Sequence, residues 1–478
     1  MHWMHFLHVA LPDYVWPLLA AGWLCYLVVL AAWIVLQQRE PVATLSWLLA
    51  LAALPYVGFL VYYAFGPQRI KRQGRKRLRM RSQLALAGYE RSGATSDGLA
   101  LGRVGMATTG YPMRTSTRVD LLVDGGATYD AIIAAIAAAQ RHVHVEYYIF
   151  VGDRSGALVR DALIERARAG VHIRLLLDGV GSARLRRAFI APMLEAGVHL
   201  AWFHPVRWWL TPFLRPKLNL RTHRKIVVCD GLVGFTGGIN ITDDENERVN
   251  PAAYHDLHLR FEGESVRWLQ TAWLEDWHYA TGEVLGESEA FAPTPEGAIC
   301  TQILPSGPDN PWEPIHRVHV EAIHRAERRV WLATPYFVPS QAALFALGGA
   351  AMRGLDVRLL IPKRSDSLLV DASARSYFHR LQETGVRIYL YGQRMLHAKA
   401  LLVDDGFAVI GSANFDSRSF RLNFELSVLF HDQGVAADLD RILAADLAIA
   451  HEVPKPAPKP SFPQRLGEGF ARLFSPIL

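Results

Sequence analysis

Residues 223–230 of the chain read HRKIVVCD, and residues 397–404 read HAKALLVD. In each copy a Lys follows a His by two positions, an Asp follows that Lys, and a Gly-rich segment ends in an Asn. The spacing is the same throughout: His223, Lys225, Asp230, Gly237 and Asn240 correspond to His397, Lys399, Asp404, Gly411 and Asn414. Two matching motifs predict a duplicated fold whose halves together build a single active site.

Each motif has the pattern of a β-hairpin. Positions i and i+2 of a strand share a face, so each His and its Lys should point the same way. An apolar run follows each Lys, then a turn signal containing Asp and Gly, then a second apolar run. The return strand should bring the Asn beside the His and Lys. Asp230 and Asp404 fall at the turns, so we expect them to fix the hairpins or hold a nearby cation rather than touch substrate.

The residue types in the two motifs suit a tetrahedral anion. A neutral His can attack phosphorus, and a protonated His can donate to the leaving oxygen. Lysine ammonium groups and Asn amides can stabilise the non-bridging oxygens as charge develops. The candidate catalytic residues are His223, Lys225, Asp230, His397, Lys399 and Asp404. The candidates for binding or supporting the phosphate are Asn240, Asn414 and Ser412.

The rest of the chain also repeats. Strand-like runs at 143–150, 170–177 and 197–200 correspond to runs at 330–337, 354–361 and 385–388, and helical patterns at 157–169 and 373–383 lie between them. Strands that alternate with helices predict an α/β sandwich in each half. A Gly-Val pair after a helix predicts a helix C-cap followed by a buried strand.

The duplicated motif resembles that of the phospholipase D superfamily. The resemblance implies an α/β fold of two tandem phospholipase D-like sandwich repeats that form one active site. It also implies phosphodiester exchange through a covalent phosphohistidine, with no metal and no cofactor. In that family an acidic residue downstream of each motif His supports its ring, which assigns Glu425 to His397 and Asp256 to His223. The motif itself is symmetric, so the resemblance alone makes His223 the nucleophile and His397 the acid and base.

Two apolar stretches predict a membrane anchor. Residues 14–36 and 43–65 contain no formal charge, and each is long enough to cross a bilayer. We expect them to form a transmembrane helical hairpin. Eight cations among residues 69–81 follow the second stretch, which places both ends of the hairpin and the catalytic domain in the cytoplasm. The same cations would attract anionic lipid. The leader lacks Lys and Arg, which argues against a cleaved signal peptide.

Composition sets the remaining limits. The chain has 478 residues and a net charge of +6. We predict two membrane helices in 1–66, a basic linker in 67–114, repeats in 115–295 and 296–452, and a tail in 453–478. Three Cys give no disulfide framework and no zinc spacing, and the chain has neither a P-loop nor a dinucleotide fingerprint.

Two further segments each fit two interpretations. Residues 206–220 mix Trp and Phe with Arg and Lys, which suits a lipid-access loop or an ordinary loop packed on the domain. After a Pro/Lys linker, Leu466, Phe470, Leu473 and Phe474 share one side of a predicted helix. That helix would lie on the membrane or dock on the catalytic core.

Taken with the membrane spans, nearly the whole chain is similar to bacterial cardiolipin synthases of the phospholipase D type. The resemblance implies transfer of a phosphatidyl group between two phosphatidylglycerol molecules, giving cardiolipin and glycerol at the inner membrane. Its partners would be phosphatidylglycerol and anionic membrane lipid. A phospholipase D-type hydrolase, or a phosphatidyltransferase with another donor or acceptor, would use the same residues. A nucleic-acid phosphodiesterase fits the basic stretch but not the membrane hairpin, and a catalytically inactive lipid-binding scaffold fits poorly with two complete motifs.

Overall fold

The structure is a computed structural model that describes residues 12, 15–36, 44–45, 48–49, 51, 100–205, 220–455, 461–473 and 475. The basic stretch 69–81, most of the second predicted span and nearly all of the 206–220 insertion lie outside the described residues.

The first predicted span is a helix. α1 (Val15–Val35) is long and apolar enough to cross a membrane, and little of its surface is buried. It belongs to a compact unit separate from the catalytic region. One helix of the predicted pair is therefore described.

The first half of the catalytic region is built on a seven-stranded mixed sheet in the order β2-β8-β7-β6-β3-β4-β5. Its strands are β2 (Arg118–Val123), β3 (His142–Tyr147), β4 (His172–Asp178), β5 (His199–Phe203), β6 (Lys225–Cys229), β7 (Val233–Gly237) and β8 (Leu257–Glu262). Its helices are α3 (Asp124–Ala138), α4 (Arg154–Arg168), α5 (Arg187–Glu195), α6 (Ser265–Thr281) and the short α7 (Glu287–Ala290).

The second half repeats this plan in a nine-stranded sheet in the order β1-β9-β17-β15-β14-β10-β12-β13-β18. The strands of this sheet are β1 (Arg114–Ser116), β9 (Ile299–Ser306), β10 (Arg329–Ala333), β12 (Asp356–Pro362), β13 (Arg387–Tyr391), β14 (Ala400–Val403), β15 (Phe407–Gly411), β17 (Glu425–His431) and β18 (His451–Glu452). A separate parallel pair is formed by β11 (Phe337–Val338) and β16 (Phe415–Asp416). The remaining helices are α2 (Ala100–Thr109), α8 (Pro314–Arg325), α9 (Gln341–Met352), α10 (Leu368–Arg375), α11 (Phe378–Thr384), α12 (Ser417–Arg421), α13 (Gln433–Ile449) and α14 (Phe462–Leu473).

The two sheets are layered around a shared core. Residues of β6 and β8, residues of β14 and β17, and the helices α6 and α13 form one hydrophobic cluster between the sheets. A second cluster covers the outer face of the second sheet, and a third covers the outer face of the first sheet. The halves therefore share an apolar interior, which holds the two motifs in a fixed relation.

Four glycines show how closely the halves match. Gly170 and Gly354 have φ values of +90° and +88°, and Gly197 and Gly385 have values of +95° and +107°. Each ends a helix in the left-handed conformation that favours glycine, directly before a strand. The predicted Gly-Val helix ends are therefore observed in both halves.

Two details differ from the sequence-based expectation. The helix predicted over 373–383 is divided into α10 and α11, and the Ser376 hydroxyl donates to the Ser373 carbonyl at the break. The predicted linker also contains ordered structure, since α2 and β1 pack on the second half. Leu101 and Met113 are buried in the core of that half, which explains why the chain is ordered before residue 115.

Candidate active site

The two motifs form the expected hairpins. β6 pairs antiparallel with β7, and β14 pairs antiparallel with β15. His223 and His397 lie just before the first strand of each hairpin. The ammonium group of Lys225 donates to the His223 carbonyl at 2.7 Å, and Lys399 donates to the His397 carbonyl. Each Lys is therefore folded back onto its own His.

The tautomer of His223 follows from its contacts. Its Nδ1 lies 3.0 Å from Glu425 Oε2 and 3.1 Å from the carbonyl oxygen of Ser412. Both partners are acceptors, so Nδ1 carries the proton and Nε2 carries the lone pair. Glu425 is fully buried, and it also accepts from the Ser412 hydroxyl at 2.5 Å and from the side-chain amide of Asn423 at 3.1 Å. The nucleophilic nitrogen available on this ring is Nε2.

His397 has a comparable support on the other side of the site. Its Nδ1 lies 2.6 Å from Asp256 Oδ2, and Lys399 Nζ lies 3.3 Å from the same carboxylate oxygen. Asp256 is 1% exposed, and its Oδ1 accepts from the backbone N–H of Leu257. Since Nδ1 faces Asp256, the reactive nitrogen of His397 is also Nε2.

The acidic supports cross between the halves. The resemblance to the phospholipase D superfamily predicts that Glu425 supports His397 and that Asp256 supports His223, each within its own half. That pairing is wrong, because Glu425 holds His223 and Asp256 holds His397. Each half supplies the carboxylate for the histidine of the other half.

The path of the backbone explains why the acidic supports cross between the halves. The segment before each motif leaves its own sheet and bridges to the other half, where Thr222 pairs with Phe424 and Leu396 pairs with His255. The His223 N–H donates to the Phe424 carbonyl at 2.8 Å, and the His397 N–H donates to the His255 carbonyl at 2.7 Å. Each His therefore sits beside the residue that follows its bridging partner, and that residue is the acid of the opposite half.

The two turn Asp residues bind backbone rather than the site. Asp230 accepts from the N–H groups of Gln140, Arg141 and His142, at the start of β3. Asp404 accepts in the same way from the three successive N–H groups of residues 327–329, at the start of β10. Each lies at the far end of a strand from its His, so these contacts are structural.

The predicted phosphate-binding amides differ between the halves. Asn240 is 2% exposed, and its Nδ2 donates to Glu245 Oε1 at 2.5 Å. Asn414 is 5% exposed, and among the described residues its Oδ1 accepts no hydrogen bond. The amide of Asn240 is therefore committed to a protein partner, while the Asn414 carboxamide is the one with unused hydrogen-bonding capacity.

Glu245 is a site residue that the two motifs do not predict. It is 2% exposed, and its Oε1 lies 4.0 Å from His397 Nδ1. Burial raises the pKa of Glu245, and His397 opposes that effect. The corresponding position of the second half is Ser419, so the second half supplies no matching carboxylate at this position. The run of three acids at 243–245, which begins three residues after Asn240, was the signal in the sequence.

Glu245, Asp256 and His397 offer ligand atoms within 4.8 Å of one another, which is compatible with a metal site. The ammonium group of Lys399 already contacts Asp256 and His397 in this cluster. The Lys399 ammonium group therefore compensates the charge of the carboxylates. We interpret the cluster as a network of ion pairs and hydrogen bonds rather than as a metal site.

The charges around the two rings show that the motifs form one site. Burial lowers the pKa of His223, with Glu425 opposing and Lys225 adding to the effect. Burial likewise holds the pKa of His397 well below its usual range, and the charges of Lys399, Lys225 and His223 contribute to this. Burial also lowers the pKa of Lys225, to about 8. The site accumulates buried positive charge that a phosphate anion would stabilise.

A second charge cluster joins the halves beside the site. His255 Nδ1 lies 2.7 Å from Asp124, and its Nε2 lies 2.9 Å from Asp446, which belongs to the second half. Arg394 pairs with the other oxygen of Asp124. Burial lowers the pKa of His255, but both carboxylates outweigh it and raise the pKa to about 9. We call these four residues the His255 clamp.

Arg224, between the catalytic His and Lys, is also an inter-half contact. It is 1% exposed and pairs with Asp276 on α6. It also donates to the carbonyl of Glu425 at 3.0 Å and to that of Ser306 at 3.1 Å. Its side chain therefore ties the first motif to two strands of the second sheet.

The chain is similar in sequence and fold to known proteins. A model of the cardiolipin synthase phospholipase D-like domain matches residues 132–253 and 319–447, and a phospholipase D-nuclease N-terminal model matches residues 27–67. Cardiolipin synthases of Alkalihalophilus pseudofirmus and Geobacillus kaustophilus are 37% and 38% identical to the chain. These matches cover 92% and 95% of this chain and 90% and 92% of the relatives. A phosphatidylserine synthase of Haemophilus influenzae has the same fold, with a TM-score of 0.59 at 14% identity over 79% of this chain and all of that one.

The paired sheets and the two motifs are those of the phospholipase D superfamily, and the relatives identify the chain as a phosphatidyltransferase of that superfamily. Within that class, the chain belongs to the cardiolipin synthase family.

Proposed function

We propose that the enzyme transfers a phosphatidyl group from one phosphatidylglycerol to the terminal hydroxyl of another, giving cardiolipin and glycerol. The observation that carries this proposal is the pair of histidines, each with Nδ1 held by a buried carboxylate of the opposite half. Such an arrangement suits two successive displacements at one phosphorus atom, with no nucleotide and no metal.

In the first displacement, the lone pair on His223 Nε2 attacks phosphorus and forms an N–P bond. The P–O bond to glycerol breaks, and His397 donates a proton to the departing oxygen. The positive charge that develops on His223 is stabilised by Glu425, 3.0 Å from its Nδ1. Lys225 and Lys399 compensate the charge on the non-bridging oxygens.

In the second displacement, the hydroxyl of an incoming phosphatidylglycerol loses its proton to His397 and attacks phosphorus. The N–P bond breaks, and its electron pair returns to His223. The overall exchange conserves the number and type of bonds, so it should run near equilibrium.

The asymmetry of the acids supports this division of roles. His397 lies near both Asp256 and Glu245, whereas His223 has Glu425 as its acidic partner. Two carboxylates favour a protonated ring, as a general acid requires. Burial lowers the pKa of both rings. The negative charge of a bound phosphodiester would raise the pKa of both rings again.

Incubating the full-length enzyme in detergent with phosphatidylglycerol alone tests the reaction. We expect cardiolipin and glycerol in equal amounts. Phosphatidic acid as the sole lipid product would favour hydrolysis, and product that forms only after phosphatidylethanolamine is added would indicate another donor.

His223→Ala and His397→Ala should each abolish transfer, while His379→Ala, which alters an exposed His, should leave it unchanged. After acid quench, a radiolabelled phosphatidyl group should be attached to His223. A label on His397 would reverse the roles, and substantial cardiolipin synthesis by both single variants would exclude the two-histidine mechanism.

We also propose that residues 14–36 and 43–65 cross the bacterial inner membrane as a hairpin, with the catalytic region in the cytoplasm. The apolar helix α1 and the cations at 69–81 support this orientation. Protease added to sealed inverted inner-membrane vesicles should digest the catalytic region. Protection there, with digestion in spheroplasts, would reverse the topology.

A further inference from the structure

The apolar side chains of the C-terminal helix α14 face away from the protein. Phe462, Leu466 and Leu473 recur at i, i+4 and i+11, and therefore share one side of the helix. They are 76%, 65% and 74% exposed. An amphipathic helix on a soluble domain normally buries this side against the core.

The catalytic region holds α14 by the opposite side. Ala471 is 2% exposed, and the Arg472 guanidinium lies 5.0 Å above the ring of Tyr377. Just beyond the helix, the Ser475 hydroxyl lies 3.3 Å from the hydroxyls of both Ser373 and Tyr377. A small side chain, a stacked cation and hydroxyl contacts thus fix the helix against α10 with its apolar side outward.

The surroundings of that side favour a lipid surface. α10, on which the helix rests, begins with Leu368 and Leu369, which are 73% and 37% exposed. Arg465 lies along one border of the apolar side, where it would meet anionic headgroups. Glu468 lies away from it and accepts from Gln464 at 3.0 Å.

Size argues against a protein partner. A 12-residue helix is about 18 Å long and roughly 10 Å wide. The side that it offers is small beside the roughly 800 Å² per partner that a stable protein interface buries. A bilayer needs no such area, because insertion of a few large apolar side chains into the headgroup boundary is sufficient for interfacial binding.

We propose that α14 is an interfacial membrane-binding helix, which the catalytic region fixes with its apolar side toward an anionic bilayer. This inference rests on the proposed function only in that the substrate is a membrane lipid. The helix would give the catalytic region a second attachment besides the N-terminal anchor, and would set which face of the enzyme meets the bilayer.

Depth measurements on the full-length enzyme test the orientation directly. A polarity-sensitive fluorophore is attached through Leu466→Cys, or through Gln464→Cys on the opposite side of the same helix, after Cys25, Cys229 and Cys300 are replaced. In proteoliposomes that contain phosphatidylglycerol, brominated acyl chains should quench the label at 466 severalfold more than the label at 464. Equal quenching at both positions, or none at 466, would overturn the proposal.

Kinetics give a second readout. Phe462→Ser/Leu466→Ser should lower turnover of bilayer phosphatidylglycerol by about tenfold or more, while turnover of a short-chain, monomeric phosphatidylglycerol should not change. The matched control is Phe345→Ser, which removes a 78% exposed ring from α9 and should affect neither substrate. Equal losses on both substrates would mean that the helix stabilises the fold. If the wild type makes no cardiolipin, the proposed function fails, and the quenching experiment still decides the role of the helix.

Discussion

The His255 clamp should make stability depend on pH in a way that one substitution removes. Asp124 and Asp446 raise the pKa of His255 from 6.5 to about 9. That difference corresponds to about 3 kcal/mol in favour of the folded state. Because the folded pKa is raised, the contribution is fully present below pH 6.5 and is lost as the pH rises through about 9.

The structural reason is the number of hydrogens on the ring. Protonated His255 donates to Asp124 from Nδ1 and to Asp446 from Nε2. A neutral imidazole has one N–H, so one buried carboxylate would then face a lone pair. Arg394 still compensates Asp124, which leaves Asp446 as the carboxylate without a charged partner in the clamp.

The perturbation is His255→Gln, and the measurement is urea unfolding in detergent at several pH values between 6 and 10. Glutamine keeps a hydrogen-bonding side chain but cannot be protonated. The free-energy difference between wild type and variant should be about 3 kcal/mol larger at pH 6 than at pH 10. His379→Gln, at an exposed position paired with Glu383, should change stability by less than about 0.5 kcal/mol at any pH. A difference between wild type and variant that stays constant from pH 6 to 10 would show that protonation of His255 does not stabilise the fold.

Three further predictions concern other contacts. Arg224→Leu should lower the free energy of unfolding by about 3–5 kcal/mol because Asp276 is left charged in the core, and adding Asp276→Leu should restore part of the loss; strictly additive losses would contradict the pairing. Asp230→Ala and Asp404→Ala should each cost roughly 2–4 kcal/mol because three backbone N–H groups lose their acceptor, yet the folded fraction should retain turnover. A well-folded but inactive Asp230 variant would instead indicate a direct role in the reaction. Glu245→Gln should slow single-turnover release of glycerol by roughly 10–100-fold and move the alkaline limb of its pH profile to lower pH, since His397 loses a negative neighbour and its pKa falls. An unmoved limb would show that Glu245 does not act on that ring.

The hairpins and the glycine-ended helices could be predicted because they depend on local signals. The Asp-Gly turn after β6 and the left-handed Gly170 and Gly354 are set by residues within a few positions of each other. The α/β sandwich of each half could also be predicted, because strands alternate with helices along the sequence in both halves.

The partners of the catalytic histidines could not be predicted in this way. Which carboxylate meets His223 depends on a bridge between Thr222 and Phe424, residues that are far apart in the sequence. Glu245 could not be predicted for a related reason. The matching position of the second half is Ser419, so comparison of the two repeats does not identify Glu245 as a site residue. The spacing within a motif predicts its hairpin, because the residues involved are close in sequence. The contacts between the halves depend instead on how the two sheets pack.

The crossed carboxylates mean that neither repeat can be chemically complete alone. A protein with a single repeat would present a histidine without the acid that fixes its tautomer, unless a second copy supplied Glu425 or Asp256 in return. An ancestor with one repeat would therefore have worked only as a symmetric pair, with activity dependent on its concentration. Fusion into one chain removes that dependence, and it frees the two copies to diverge. Glu245 opposite Ser419 is one trace of that divergence.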